Sequence, residues 1–207
     1  LFTKMYDCGK IKSYLCTVTA VQKTKKKGIF PMKISFSTRA CPDFEWSDIY
    51  SMAKDFQFDG IEIRGLGNDI FSVKAKPFSD AQLPKTVEKL KTLGLEIPCL
   101  SSGACLKFAD KQEETTAEIT AYAKLANCLG TPYIRILADL EPQPADEVDD
   151  DAIAEFLKKL VPVAEEYNVT LLVETNGVYC DTKRLKKLLD KVGSRKIAAL
   201  WDMHHPY

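Results

Sequence analysis

From residue 32 onward the chain alternates short apolar runs with amphipathic stretches, and this rhythm restricts its fold more than any other feature. Six runs read as strands: 33–37, 60–64, 95–100, 133–137, 170–174 and 197–201. They begin 27, 35, 38, 37 and 27 residues apart, and each gap holds a helical pattern. Such alternation is the signature of βαβ units and a parallel sheet.

The helical gaps carry their own signals. Across 148–167, Ala152, Ile153, Phe156, Leu157, Leu160, Val161 and Ala164 recur at three- and four-residue steps and form one apolar stripe. Asp149, Asp150 and Asp151 supply caps and first-turn acids, where the helix dipole favours them, while Pro162 predicts a kink. Across 115–129, Ile119, Tyr122, Ala126 and Leu129 share a face closed by Gly130. Leu185, Leu188, Leu189 and Val192 mark another helix, closed by Gly193, and shorter helices are expected over 46–56 and 86–93.

Two parallel architectures fit this rhythm, an open doubly wound sheet and a closed barrel. A dinucleotide-binding sheet places a glycine-rich loop after its first strand. Here that position reads Ser37-Thr38-Arg39-Ala40-Cys41-Pro42, and Gly65-Leu66-Gly67 after the second strand lacks a third glycine. Polar groups instead close strand after strand: Ser37 and Thr38, Glu62 and Arg64, Ser101 and Ser102, Asp139, Glu174 and Asn176, Asp202 and His205. A barrel brings all these carboxyl ends to one mouth.

Bulk composition narrows the partners. Formal net charge is zero, so no global field points to nucleic acid or membrane, and no run reaches the roughly 18 apolar residues of a spanning helix. The zero conceals a basic leader: residues 1–31 hold seven lysines and one acid. That leader shows no sustained periodicity and is expected to be disordered or a start-site artefact, with the folded domain at 32–207. The seven cysteines are scattered, odd in number and without a CxxC pair, which predicts reduced thiols and a cytoplasmic setting.

Two motifs carry chemistry. In Leu171-Leu172-Val173-Glu174-Thr175-Asn176-Gly177 an apolar strand ends in a carboxylate. An unpaired charge there would cost several kcal/mol, so a metal ion or a cationic partner is required. The plainer account of Glu174 is a helix cap or salt bridge. In Leu200-Trp201-Asp202-Met203-His204-His205 an acid again ends a strand and a histidine follows three residues later. Asp and His are suitable ligands for a divalent ion. Arg64 and Glu62 could hold substrate hydroxyls or pair with neighbouring charges. Asn176 could bind a hydroxyl or shape the turn before Gly177. Arg135, inside the fourth strand, faces either the barrel mouth or a helix-packing ion pair, and the second is the expectation.

Together the opening MKISFS strand, Gly60-Ile61-Glu62-Ile63-Arg64, Val173-Glu174-Thr175-Asn176 and Trp201-Asp202-Met203-His204-His205 resemble the xylose-isomerase-like TIM barrels, the sugar phosphate isomerases/epimerases (a superfamily that includes endonuclease IV-type nucleases). The resemblance implies an α/β fold, a (β/α)8 barrel here truncated to about six βα units. It implies a divalent metal (Mn, Mg, Co or Zn) held by Glu174 and Asp202, with Glu174 also the base that abstracts a proton beside a carbonyl. His205, Glu62, Arg64 and Asn176 would contact a small sugar or polyol. Family members add a His from strand seven and a Glu from strand eight, and both would lie past Tyr207. The implied activity is metal-dependent sugar isomerisation or epimerisation. The alternatives are an inosose dehydratase-like lyase on the same scaffold and a catalytically inactive fragment. A nuclease is disfavoured by a chain with two histidines in one motif. The oligomeric state is left open.

Overall fold

The computed structural model describes residues 32–145 and 147–205; the expected leader, residues 1–31, lies outside them. The elements alternate as β1 (Ser35–Ser37), α1 (Trp46–Asp55), β2 (Gly60–Glu62), α2 (Leu83–Leu93), β3 (Cys99–Cys105), α3 (Gln112–Leu129), β4 (Tyr133–Leu137), α4 (Asp150–Glu166), β5 (Thr170–Glu174), α5 (Thr182–Val192) and β6 (Ile197–Leu200). Every strand pair is parallel: β1 with β2, then β3, β4, β5 and β6 in chain order. Single parallel bridges, Gly60 to Glu96 and Ile63 to Leu100, join the two groups into one curved wall.

Strands β4 and β5 follow the apolar runs at 133–137 and 170–174. The third strand is shifted. Its pairing opens at Glu96, whose carbonyl accepts from Ile61 N (2.9 Å), but Pro98 has no N–H to continue the ladder. Regular pairing resumes at Cys99 and continues to Cys105 through a register shift after Ser101. The helices end as the glycines dictate: Gly94, Gly130 and Gly193 take left-handed conformations that close α2, α3 and α5. Asp149 caps α4 by accepting from Asp151 N (2.9 Å) and Ala152 N (3.0 Å), so the helix starts at Asp150 and runs on through Pro162.

Alternation along the strands sorts the side chains. Ile134, Ile136, Leu171 and Val173 are fully buried and share one core with Ile119, Tyr122, Phe156, Leu157 and Leu160 of the helices. The opposite parity, with Ser101, Arg135 and Leu172 in register, faces the barrel interior. Polar groups therefore line the inside and converge at the carboxyl ends. The five described cysteines are free thiols. Among the described residues no helix is long and apolar enough to cross a membrane.

Candidate metal and substrate site

Glu174 closes β5 and is 4% exposed. The cationic partner that its burial requires is Arg135, whose Nε donates to Glu174 Oε2 in a buried ion pair. Arg135 does not reach a helix acid, which corrects the helix-packing expectation. Its strand parity puts it inside the barrel, because Ile134 and Ile136 on either side take the helix face. The same alternation in Tyr133-Ile134-Arg135-Ile136-Leu137 is the sequence signal that could have placed it. The guanidinium is also tied to β3: Nη1 donates to Ser102 O (3.0 Å), and Ser102 Oγ donates back to Arg135 O (2.8 Å).

Thr175 joins the strand-five and strand-six motifs. Its hydroxyl accepts from Asp202 N (2.8 Å) and donates to Asp202 O (3.2 Å), and its N–H donates to Leu200 O (2.9 Å). Asp202 Oδ1 accepts from His204 N (2.8 Å), a tight turn that brings His205 back over β5. His205 Nδ1 lies 3.1 Å from Thr175 O, 3.8 Å from Glu174 Oε1 and 3.9 Å from Asp202 Oδ2. A carbonyl only accepts, so the Thr175 contact places the proton on Nδ1 and leaves the Nε2 lone pair available.

One ligand atom from each of Glu174, Asp202 and His205 lies within 4.8 Å of the others. The two carboxylates suit a borderline or hard divalent ion, and bonds of about 2.0–2.2 Å would draw them together; the imidazole nitrogen beside them, Nδ1, is engaged by Thr175 O. With Oε2 held by Arg135, Oε1 is the Glu174 oxygen that faces this cluster. The donor set therefore fits a metal ion, although Arg135 already compensates the buried charge without one.

The other expected site residues divide. Glu62 lies at the end of β2 and accepts from Ser101 Oγ. Arg64 is exposed, and its backbone N–H donates to Thr38 Oγ1 (2.8 Å). Asn176 is 3% exposed and gives its Nδ2 to three carbonyls, Asp139 O (2.8 Å), Leu140 O (3.1 Å) and Glu141 O (2.8 Å). That amide fixes the loop after β4. Asp139, fully buried, accepts from Leu140 N, Val178 N and Lys107 Nζ, so it too holds loops. Two thiols border the site. Burial pushes the Cys99 thiol up to about 12, with Glu62 adding to the rise. Burial and then the Asp202, Asp139 and Glu174 carboxylates push Cys180 upward. Both thiols are protonated at neutral pH and are poor nucleophiles.

A family model described as xylose isomerase-like TIM barrel matches residues 51–207. No curated protein matches the chain by sequence. Solved structures that it resembles include the probable 3-DHS dehydratase AsbF from Bacillus anthracis, with 22% identity and a TM-score of 0.67. The IOLI protein with a bound zinc atom gives 17% and 0.66, and a D-psicose 3-epimerase 16% and 0.68. Each alignment covers 84% of this chain and 64% of the other protein. At such identities the likeness concerns the fold.

Proposed function

The chain belongs to the xylose isomerase-like TIM barrel family, and from that premise we propose that its site serves a divalent-metal-dependent isomerisation or epimerisation of a small sugar. The observation that carries this reading is the convergence of Glu174, Asp202 and His205 at the carboxyl ends of β5 and β6. Glu174 and Asp202 would hold the ion. When bound, the ion supplies Lewis-acid polarisation of the substrate carbonyl.

The chain's own residues account for removal of the proton. The Glu174 carboxylate takes the proton from the carbon beside the carbonyl, and the C–H electron pair moves toward the carbonyl oxygen. Arg135 holds the other carboxylate oxygen and so limits how far Glu174 turns during transfer. His205 presents Nε2 to a substrate oxygen while Thr175 O fixes its ring. Return of the proton by Glu174 to the former carbonyl carbon gives the isomer; delivery to the opposite face of the original carbon, which gives the epimer, would need a second acid there, the role that the family resemblance gives to a Glu on strand eight. Glu62 and Arg64 offer hydroxyl contacts at the β2 end. A lyase on the same scaffold would instead expel a hydroxyl from the next carbon.

The test has two stages. Mn²⁺, Co²⁺ and Zn²⁺ are titrated by thermal shift into the wild type, E174Q and D202N. Stabilisation in the wild type that both variants lose is expected, since a ligand specific to the folded state stabilises by RT ln(1 + [L]/Kd). A ketose panel in D2O is then followed by NMR, with abasic DNA as the control substrate. Deuterium at the carbon beside the carbonyl supports the reading, and loss of water with a new conjugated chromophore marks the lyase. A wild type that neither binds metal nor exchanges that proton sinks the proposal and leaves a catalytically inactive binding fragment.

A further inference from the structure

Strand β3 carries two residues more than its neighbour β4. It pairs Ser101 with Arg135 and Cys105 with Leu137, so Ser102, Gly103 and Ala104 stand opposite Ile136 alone. Such a bulge takes backbone N–H groups out of the ladder, and each then needs another acceptor. Glu118, in the second turn of α3, provides one: its Oε1 accepts from Gly103 N (2.7 Å). Ala104 N donates to Ser102 Oγ (3.4 Å). Burial pushes the Glu118 carboxyl up, and the Gly103 and Ala104 N–H groups oppose the rise. A helix carboxylate thus grips the bulge.

The bulge in turn grips Arg135. Ser102 O accepts from Arg135 Nη1 (3.0 Å), Ser102 Oγ donates to Arg135 O (2.8 Å), and Arg135 Nε donates to Glu174 Oε2. Ser102 O and Gly103 N belong to one peptide unit, which is planar and trans. Glu118 holds its N–H and Arg135 holds its C=O, so one rigid group is oriented from opposite ends. The guanidinium is planar as well. Fixing Nη1 and Nε together fixes its plane and the direction from which it meets the carboxylate.

From this relay we infer that Glu118 is a positioning residue for Glu174. By orienting the Ser102–Gly103 peptide it sets the plane of Arg135, and Arg135 holds Oε2 so that Oε1 faces His205. The relay stands on geometry alone; only its consequence for a bound ion rests on the metal reading above. What Glu118 contributes is the place of an acceptor oxygen. A carboxamide offers the same oxygen and carries no charge for burial to penalise.

Three variants separate placement from bulk. E118Q keeps an oxygen for Gly103 N, E118D draws it back by one methylene, and E118M keeps the length without an acceptor. Gly103 is exposed, so water can solvate its freed N–H and all three are expected to fold. Exchange of the Arg135 Nε–H with D2O is followed by NMR on the chelator-treated full chain, well below its melting temperature. E118M and E118D are expected to exchange roughly tenfold faster than the wild type, and E118Q within about twofold of it. A residue that merely supports the fold would lower the melting temperature and leave this exchange unchanged. Mn²⁺ is then titrated by EPR, with a dissociation constant roughly tenfold higher expected in E118M and E118D and restored in E118Q. Unchanged Arg135 exchange in E118M and E118D overturns the inference, as does E118Q exchanging as fast as they do. If one of the two does not fold, the other decides; failure of both marks a purely structural role and overturns it. Where the wild type binds Mn²⁺, an unaltered affinity in both variants overturns it too. A wild type that binds no Mn²⁺ defeats the metal reading, and the Arg135 exchange still decides this one.

Discussion

Arg135 and Glu174 are 5% and 4% exposed and hold each other's charge deep in the barrel. Removing one partner strands the other, which typically costs about 3–5 kcal/mol, whereas replacing both with apolar groups is often nearly neutral. Urea denaturation in chelator is therefore expected to show R135M and E174L each strongly destabilised and R135M/E174L largely recovered; additive losses would show that the pair is not coupled. A second residue-scale demand sits at Gly177, where φ is +56° and an added Cβ would overlap the Asp139 carboxylate. G177A combines left-handed strain with displacement of a buried acid, and a loss of about 2–5 kcal/mol is expected in the same assay. At this scale much of the candidate cluster was legible. Glu174, Asp202 and His205 stand at strand ends, where a carboxylate after an apolar run is conspicuous in sequence. The Arg135 pairing was not, because the partner of a strand residue depends on register with chains 39 residues away. Asn176 illustrates the same limit: its three loop carbonyls lie 35 to 37 residues upstream.

Between elements, the start of α4 is clamped to the start of α5. Arg184 Nε donates to both oxygens of Asp150 (3.0 and 2.9 Å), its Nη2 donates to Val148 O (2.9 Å), and Tyr179 OH donates to Asp150 Oδ1 (2.8 Å). Burial pushes the Asp150 carboxyl up, but the hydrogen bonds from Arg184 and Tyr179 outweigh it and hold the group below the usual carboxylate range. A depressed carboxyl contributes stability that is intact above its unfolded value near pH 4 and is lost as pH falls through the lower folded value. The melting temperature of D150N should thus lie below the wild type at pH 6 and approach it as pH falls through the depressed folded value. Parallel curves down to acid would assign the clamp no titrating role. The pair is partly solvent-exposed, so the effect is small and fades in high salt. Element existence followed from periodicity and terminal glycines, and β4 and β5 took the expected bounds. The misplaced third strand shows why boundaries are harder. The run 95–100 reads as a continuous apolar strand, yet Pro98 interrupts its hydrogen bonding, and the ladder starts only at Cys99, passes through Leu100 and Ser101, and is taken up again at Cys105 after a register shift that no apolar pattern marks.

At the scale of the whole molecule, the parallel wall of six strands leaves one side of β1 and one side of β6 without a strand partner among the described residues. Unpaired N–H and C=O groups along such an edge are a template for adding another strand. The β6 side carries apolar surface as well: Trp201 and Met203 are 65% and 72% exposed, and Ala199 is exposed although its register partner Val173 is fully buried. Interior strands of a barrel are apolar on the helix-facing side, so Ala199 follows an interior pattern at a position that is open to solvent, while Ile197 on the same face is buried. Taken by itself, the 207-residue polypeptide is expected to associate through such an apolar edge. Sedimentation velocity across a concentration series is expected to show species heavier than the 23.2 kDa monomer. A199K places a charge on that edge without touching the Glu174 cluster, and it should shift the distribution back toward monomer while preserving metal-dependent stabilisation. A wild-type chain that stays monomeric at every concentration would mean that the β6 edge is covered by other parts of the protein, and the A199K substitution would then lower thermal stability instead of improving dispersion.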